Sequence, residues 1–137
     1  MDPDFKTPYE RKVTLGLTYY LPNDYVLTAD AIMTQGEDTA IWKRGDLEVV
    51  GTNSDGSPEY DSVREASFVL TNSAIGNESE SISFGLFKSF ENGLDMRLGY
   101  AWNDSRDVNP MTSSIAFSNY VNRTFFDPQE EVLSRSN

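Results

Sequence analysis

Residues 94–103 read LDMRLGYAWN, and this stretch decides the fold class. Both of its charges, Asp95 and Arg97, stand at odd positions. All five even positions are large apolar residues: Leu94, Met96, Leu98, Tyr100 and Trp102. Because successive side chains of a strand point to opposite faces of a sheet, this alternation predicts a β-strand with one apolar face and one polar face.

The same alternation recurs in three other stretches. Apolar residues occupy the odd positions of 13–21 and of 25–33, and the even positions of 82–90 apart from Lys88. Glu91-Asn92-Gly93 predicts a hairpin turn, since Asn and Gly both tolerate positive φ. Pro22-Asn23-Asp24 predicts the turn between the first two strands. We therefore predict two antiparallel hairpins with strands over residues 12–21, 25–34, 81–90 and 94–103.

The connections between these strands are unequal in length. About three residues join the strands of each pair, whereas residues 35–80 form a long polar stretch between the pairs. We expect short strands inside it at 47–50 and 67–71, and a turn at Asp55-Gly56-Ser57-Pro58. Residues 104–137 are predicted to form another loop or the approach to a further strand, with breaks at Pro110, Asn119-Tyr120 and Asp127-Pro128.

Short turns that alternate with long loops are typical of outer-membrane barrels. Aromatic residues near the strand ends, among them Tyr19, Tyr25, Phe90, Tyr100 and Trp102, fit the aromatic girdles of such barrels. We therefore predict an all-β chain of antiparallel up-and-down strands that forms part of a transmembrane β-barrel wall, with an outward-facing loop at 35–80. Lys88 falls where a long side chain can reach polar headgroups.

A soluble β-sandwich that binds or adheres to a partner is the alternative, because a sandwich shows the same alternation. It predicts one water-excluded core, formed by Leu15, Leu17, Phe84, Leu98 and Tyr100. Replacing Leu98 with Asp would unfold such a sandwich, whereas in a barrel it would block insertion into the membrane.

The composition excludes several classes of function. The formal net charge is −11, from 22 acidic and 11 basic residues, and an acidic surface repels nucleic-acid phosphates. The chain contains neither Cys nor His, which removes thiolate metal sites and the commonest general base. We expect no enzymatic activity, no cofactor and no nucleic-acid partner.

Few residues qualify as site candidates. Oxygen ligands at Asn53, Asp55, Glu59 and Asp61 could hold Ca²⁺, but the EF-hand spacing fails and a solvated acidic loop is the simpler interpretation. Asp30, Asp95 and Arg97 are charges within strands, placed either along a substrate path or, more simply, in cross-strand or plug contacts. Trp42 is interpreted as a loop-core anchor or a surface contact. No catalytic, cofactor, metal or ligand-binding residue is assigned.

Several short motifs point to one family. They begin with VTLGLTYYLP at 13–22 and YVLTADA at 25–31. They continue through Trp42-Lys43, Asp46-Leu47, Gly51-Thr52, Asp55-Gly56, Pro58, Leu70-Thr71-Asn72-Ser73, Gly76 and residues 88–100. Together they span most of residues 8–137. In these motifs the chain resembles the barrel region of TonB-dependent outer-membrane receptors, and among them the Oar-like group with carboxypeptidase-regulatory-like N-terminal domains.

The resemblance implies a receptor and transporter of the bacterial outer membrane, which takes up a scarce nutrient and is energised through TonB. It implies as partners outer-membrane lipid, a plug domain and the remaining barrel strands, with TonB reached only through the parent protein. No plug and no TonB-box-like segment are recognisable, and four strands cannot close a barrel of about 22. We therefore expect a barrel and surface-loop portion that depends on detergent or lipid.

Overall fold

The computed structural model describes residues 1–63, 65–123 and 127–136. Its elements, in chain order, are β1 Tyr9–Leu21, β2 Tyr25–Glu37, β3 Ala40–Arg44, β4 Leu47–Thr52, β5 Pro58–Ser62, β6 Phe68–Asn72, β7 Glu78–Ser89, β8 Asp95–Asp107, α1 Ala116–Val121 and β9 Ser134–Arg135. The predicted all-β class, with antiparallel strands, is confirmed. No helix in the described ranges is long and apolar enough to cross a membrane.

The largest sheet has the strand order β1-β2-β7-β8-β9. β2 and β7 run antiparallel, in a register that extends from Tyr25 opposite Lys88 to Gln35 opposite Glu78. β9 adds only Arg135 and Ser134, paired with Arg106 and Asp107. All four strands predicted from the alternation are present. They are longer than predicted at the ends remote from the turns, where polar residues continue the ladder.

The two turns differ from each other in backbone conformation. Asn23 and Asp24 both have φ near 62°, which is the left-handed pair that a type I′ hairpin requires. In the second turn Gly93 has positive φ, at 82°, while Asn92 does not. The amide of Phe90 donates to the carbonyl of Leu94 at 2.8 Å, which closes a three-residue turn. The predicted hairpin turn of about three residues at Glu91-Asn92-Gly93 is therefore confirmed, with the positive φ of this turn at Gly93.

The chain divides into two compact units. The first, here called the sheet unit, comprises residues 10–35 and 78–105. The second, here called the loop unit, comprises residues 1–9, 36–77 and 106–137. In the loop unit β3 pairs with β6 and β4 pairs with β5, both antiparallel. The short strands expected at 47–50 and 67–71 correspond to β4 and β6.

The core of the loop unit is small. Its buried apolar side chains in the described residues are Ile41, Val108 and Tyr120. The ring of Phe68 lies 5.5 Å from that of Tyr120 and 6.0 Å from that of Phe117, between centroids. These contacts attach α1 to β6. With so little apolar burial, much of the unit's order has to come from polar contacts.

The base of the 36–77 segment is closed by backbone contacts. The amide of Gly36 donates to the carbonyl of Asn77 at 2.7 Å, and the amide of Ser73 donates to the carbonyl of Thr39 at 2.7 Å. A Cβ at Gly76 would lie 1.9 Å from the carbonyl oxygen of Gly36. Only glycine allows this close approach of the two chain segments.

The interpretation of residues 104–137 needs two corrections. β8 continues to Asp107, so residues 104–107 are strand and not loop. The break predicted at Asn119-Tyr120 is wrong, since both residues belong to α1. Tyr120 is buried against Phe68, and Asn119 forms hydrogen bonds with backbone groups of Ser113. The rest of the segment, where it is described, is mostly irregular, as expected.

Candidate functional site

The sheet unit carries one continuous apolar face. The register places Leu27 opposite Leu86, Ala29 opposite Phe84 and Ala31 opposite Ile82. Leu98 and Tyr100 of β8 line the same shallow surface as Leu27, Phe84 and Leu86. The side chains of this face with the highest exposed fractions are those of Val13, Leu15, Leu17, Tyr19, Met33, Phe84, Leu94, Leu98 and Tyr100. The described residues of the chain leave this apolar surface open to its surroundings.

The apolar face has a defined width. On each of four strands it spans nine residues, which are 13–21, 25–33, 82–90 and 94–102. Nine residues of strand extend about 27 Å, close to the 9–11 residues of a tilted transmembrane strand. At the end remote from the turns, the next residue on the same face of each strand is polar or charged: Arg11, Gln35, Glu80 and Asp104. We call this surface the apolar band.

The opposite face of the sheet is mostly small and polar, with Tyr20, Val26, Ile32 and Phe87 as its larger or apolar members. Thr28 lies opposite Gly85, and Asp30 lies opposite Ser83. A Cβ at Gly16 would lie 3.0 Å from Oδ1 of Asp30, which places these two residues on the same face. Small residues in β1, β2 and β7 therefore leave room above the sheet on this side.

The three strand charges predicted as site candidates do not pair with one another among the residues that the structure describes. The carboxylate of Asp95 accepts a hydrogen bond from Oγ of Ser89 at 2.7 Å. The guanidinium of Arg97 lies over the ring of Phe87, 5.2 Å from its centroid. Asp30 is exposed beside Gly16. All three project from the polar face, where a hydrated lumen would solvate them.

Lys88 is the only charged residue within the apolar band. Its ammonium lies 4.2 Å from the ring centroid of Tyr25 and 4.7 Å from that of Phe90. Both distances are within the range of cation–π attraction. The cluster stands at the end of the band that carries the two turns.

In the loop unit a buried ion pair lies between the end of β3 and the start of β4, and hydrogen bonds connect it to β5 and the segment that follows. The guanidinium of Arg44 binds both carboxylate oxygens of Asp46, which is fully buried. Asp46 also accepts hydrogen bonds from Oγ of Ser62 and from the amide of Ser67, both at 3.0 Å. Despite the opposing effect of burial, the Arg44 contact and these two bonds hold the pKa of Asp46 well below its usual range.

A second polar cluster holds the C-terminal segment. Glu131 accepts hydrogen bonds from Oγ of Ser73 at 2.6 Å and from the amide of Ala74 at 2.7 Å, and it forms an ion pair with Lys43. Burial alone would raise the pKa of Glu131, but these three contacts outweigh burial and lower it below 4.5. Residues 127–131 are thereby tied to β3 and to the segment after β6.

We expect this attachment to be lost in acid. Because the pKa of Glu131 is lower in the folded chain than in the unfolded chain, its stabilising contribution is present above pH 4.5 and declines as the pH falls through the folded value. Amide protection of residues 127–136, corrected for the pH dependence of intrinsic exchange, should therefore be lower at pH 3.5 than at pH 7. In Glu131→Gln the protection should be several-fold lower already at pH 7, with a smaller pH dependence. Equal wild-type protection at both pH values would contradict this.

The proposed Ca²⁺ ligands do not converge in the structure. Asp55 accepts hydrogen bonds from the amide and hydroxyl of Ser57, and Asp61 accepts one from the amide of Ser62. The amide nitrogen of Asn53 donates to Ser57. Among the described residues no three Asp, Glu, His or Cys side chains are grouped as a metal site. These groups stabilise the β4–β5 hairpin turn, in which Gly56 has φ of +88°.

The two tryptophans occupy different environments. Trp102 belongs to the apolar band and is exposed. Trp42 lies opposite Leu70 in the β3–β6 ladder and is half-buried, and its Nε1 is enclosed without a hydrogen-bond partner in the described part of the chain. Trp42 is therefore a loop-core residue, which was one of the two interpretations of the sequence.

Comparison with protein-family models, with curated proteins and with solved structures gives no match to this chain.

Proposed function

We propose that this chain forms part of the wall of a transmembrane β-barrel in a bacterial outer membrane. The observation that carries the proposal is the apolar band, nine residues wide on four adjacent strands, most of whose large side chains are exposed. Exposed apolar patches beyond a few hundred Å² mark surfaces that bind a partner or a membrane. A band that matches the length of transmembrane strands favours lipid as that partner.

The polar face supports the same proposal. In a barrel wall the residues of each strand alternate between lipid and lumen, and the lumen side is polar. Here the lumen side would present Thr28, Asp30, Ser83 and Arg97. β1 lies at one end of the sheet order, and β8 is extended by only two residues of β9. Further strands would complete the wall, because lipid cannot satisfy the backbone groups of an open edge.

We further propose that the parent protein is a receptor for nutrient uptake of the TonB-dependent class. The support is the resemblance carried by residues 13–31 and 88–100 and by the motifs of the loop. In that arrangement the loop unit is the region that meets a nutrient. TonB and a plug domain act through the parent protein, and the transported nutrient is left open.

The packing of the sheet unit counts against the soluble sandwich. The five residues that would form its core are exposed in the described chain: Leu15 72%, Leu17 59%, Phe84 49%, Leu98 59% and Tyr100 65%. A sandwich needs a second layer over them, and the loop unit has a separate core of its own around Ile41 and Tyr120.

Cysteine labelling tests which face of the sheet meets lipid. The chain has no native Cys, so single replacements give an unambiguous signal. We expect Tyr100→Cys and Leu17→Cys to be protected from a membrane-impermeant maleimide once the chain is reconstituted with phospholipid vesicles. Their neighbours Ala101→Cys and Thr18→Cys, on the polar face, are matched controls and should react readily.

All four variants should react equally in denaturant, which shows that the label itself is not selective. Equal labelling of both faces in the presence of vesicles would refute the proposal. A wild-type chain that is monomeric and folds cooperatively in plain buffer would refute it as well, since an uncovered band of this size is incompatible with that state.

A further inference from the structure

The two turns of the sheet unit form a recess that contains charges of both signs. Lys88 contributes the cation, and Asp24 and Glu91 contribute carboxylates. The remaining lining residues are Asn23, Ser89, Phe90 and Asn92.

The ammonium of Lys88 is left available to a ligand. Its contacts in the described residues are the rings of Tyr25 and Phe90, at 4.2 and 4.7 Å from the centroids. No carboxylate among those residues lies within ion-pair distance of it, although Asp24 and Glu91 line the same recess. Ring faces attract a cation but leave its N–H donors unsatisfied, so an oxygen acceptor between the turns would be bound.

We propose that this recess binds the headgroup of phosphatidylethanolamine. The lipid phosphate accepts hydrogen bonds from the ammonium of Lys88, and the primary ammonium of ethanolamine donates to the carboxylates of Asp24 and Glu91. The inference rests on the proposed function, since it requires the apolar band to lie in a bilayer.

The position of the recess fits such a headgroup. It adjoins the end of the apolar band, and headgroups begin where the hydrocarbon ends. Phe90, directly after β7, is the last residue of the apolar band, and Lys88 precedes it by two positions. The side chain of Lys88 therefore spans the boundary between acyl chains and phosphate. The lipid's acyl chains would then lie along Phe90, Leu86 and their neighbours on the apolar band.

The charges of the recess discriminate between headgroups. A net anionic headgroup such as phosphatidylglycerol would meet Lys88 favourably but would be repelled by the two carboxylates. The quaternary ammonium of phosphatidylcholine has no N–H group to donate to Asp24 or Glu91. Phosphatidylethanolamine is the common phospholipid that offers both an anionic acceptor and a cationic donor.

Competitive lipid retention tests the proposal. The chain is reconstituted with an equimolar mixture of phosphatidylethanolamine, phosphatidylglycerol and phosphatidylcholine and then extracted in mild detergent. The lipids that remain bound are counted by native mass spectrometry. Because each contact is a partly exposed ion pair, we expect wild type to retain phosphatidylethanolamine roughly two- to fivefold over either competitor. Equal retention, or a preference for phosphatidylglycerol, would overturn the proposal.

Two variants separate the two halves of the recess. Lys88→Met keeps an unbranched apolar stem and should lose retention of all three phospholipids, whereas Lys12→Met, on the polar face of β1, makes the same chemical change and should not. Asp24→Asn with Glu91→Gln should shift the preference toward phosphatidylglycerol, and Asn tolerates the positive φ of Asp24. Glu80→Gln, beyond the opposite end of the band, is its control.

The outcomes distinguish this inference from the proposed function. If the chain does not associate with vesicles of any composition, the membrane proposal fails. If it associates and shows facial protection in the cysteine experiment but retains the three lipids equally, only the headgroup site fails. If Lys12→Met lowers retention as much as Lys88→Met does, the effect is one of net charge and the site is refuted.

Discussion

Replacing Leu98 with Arg is expected to lower the partition of the chain into phospholipid vesicles by about 30-fold or more. Leu98 stands at the centre of the apolar band on β8, midway between residues 94 and 102. A guanidinium at the midplane of a bilayer costs roughly 2–4 kcal/mol on the lipid-facing side of a barrel. Flotation of the chain with vesicles, followed at several lipid concentrations, measures the change in partition.

The control for Leu98→Arg is Ala101→Arg, which places the same side chain on the polar face of the same strand. We expect its partition to stay within about twofold of wild type, because a lumen-facing Arg remains hydrated. Leu98→Asp should be impaired as well, though less than Leu98→Arg. If Leu98→Arg instead unfolds a chain that was soluble in plain buffer, the sandwich is the better description of the protein.

Asp46→Asn is expected to open the loop unit while leaving the sheet unit intact. The variant keeps the size of the side chain but removes the charge that Arg44 contacts through two hydrogen bonds. Removing one partner of a buried ion pair leaves the other without compensation. We expect amide protection in the β3–β6 ladder, measured by hydrogen exchange at pH 7, to fall by about tenfold or more.

Asp61→Asn provides the matched comparison for Asp46→Asn. Asp61 is exposed, and its carboxylate accepts a hydrogen bond from the amide of its neighbour Ser62. Its neutralisation should leave the ladder's protection nearly unchanged. Amides of residues 82–102 should exchange at the wild-type rate in both variants. Loss of protection throughout the chain in Asp46→Asn would mean that the two units do not unfold separately.

The sheet unit was largely predictable because its signal is local. Alternation with a period of two requires only that neighbouring side chains point to opposite faces, and each strand carries that pattern in its own residues. The register between β2 and β7 then follows from matching apolar faces. The three-residue length of the second turn was also predicted. The first turn was less predictable, because Asn23 and Asp24 both adopt positive φ without glycine.

The loop unit was predicted only in outline because its contacts join distant residues. Asp46 binds Ser67 across 21 positions, and Glu131 binds Ser73 across 58. A periodic sequence pattern does not indicate contacts between residues so far apart in the chain. A charged pair separated by glycine, Arg44-Gly45-Asp46, was the one local hint of the buried ion pair.

The helix at 116–121 was missed for a related reason. After Ala116 its sequence FSNYV combines aromatic, β-branched and turn-favouring residues, none of which is a strong helix former. Burial of Tyr120 against Phe68 decides its conformation, and that contact depends on the folded loop unit.

The outer edge of β1 makes the assembly of this chain depend on its concentration. All thirteen residues of this strand are exposed, and β1 ends the strand order of its sheet. Along residues 12–21 the backbone groups of this edge can pair with the next strand of the proposed barrel or with the same edge of another copy. Insertion into the proposed membrane would be first order in the chain, whereas self-pairing is second order. The balance between the two therefore depends on the concentration of the chain in water.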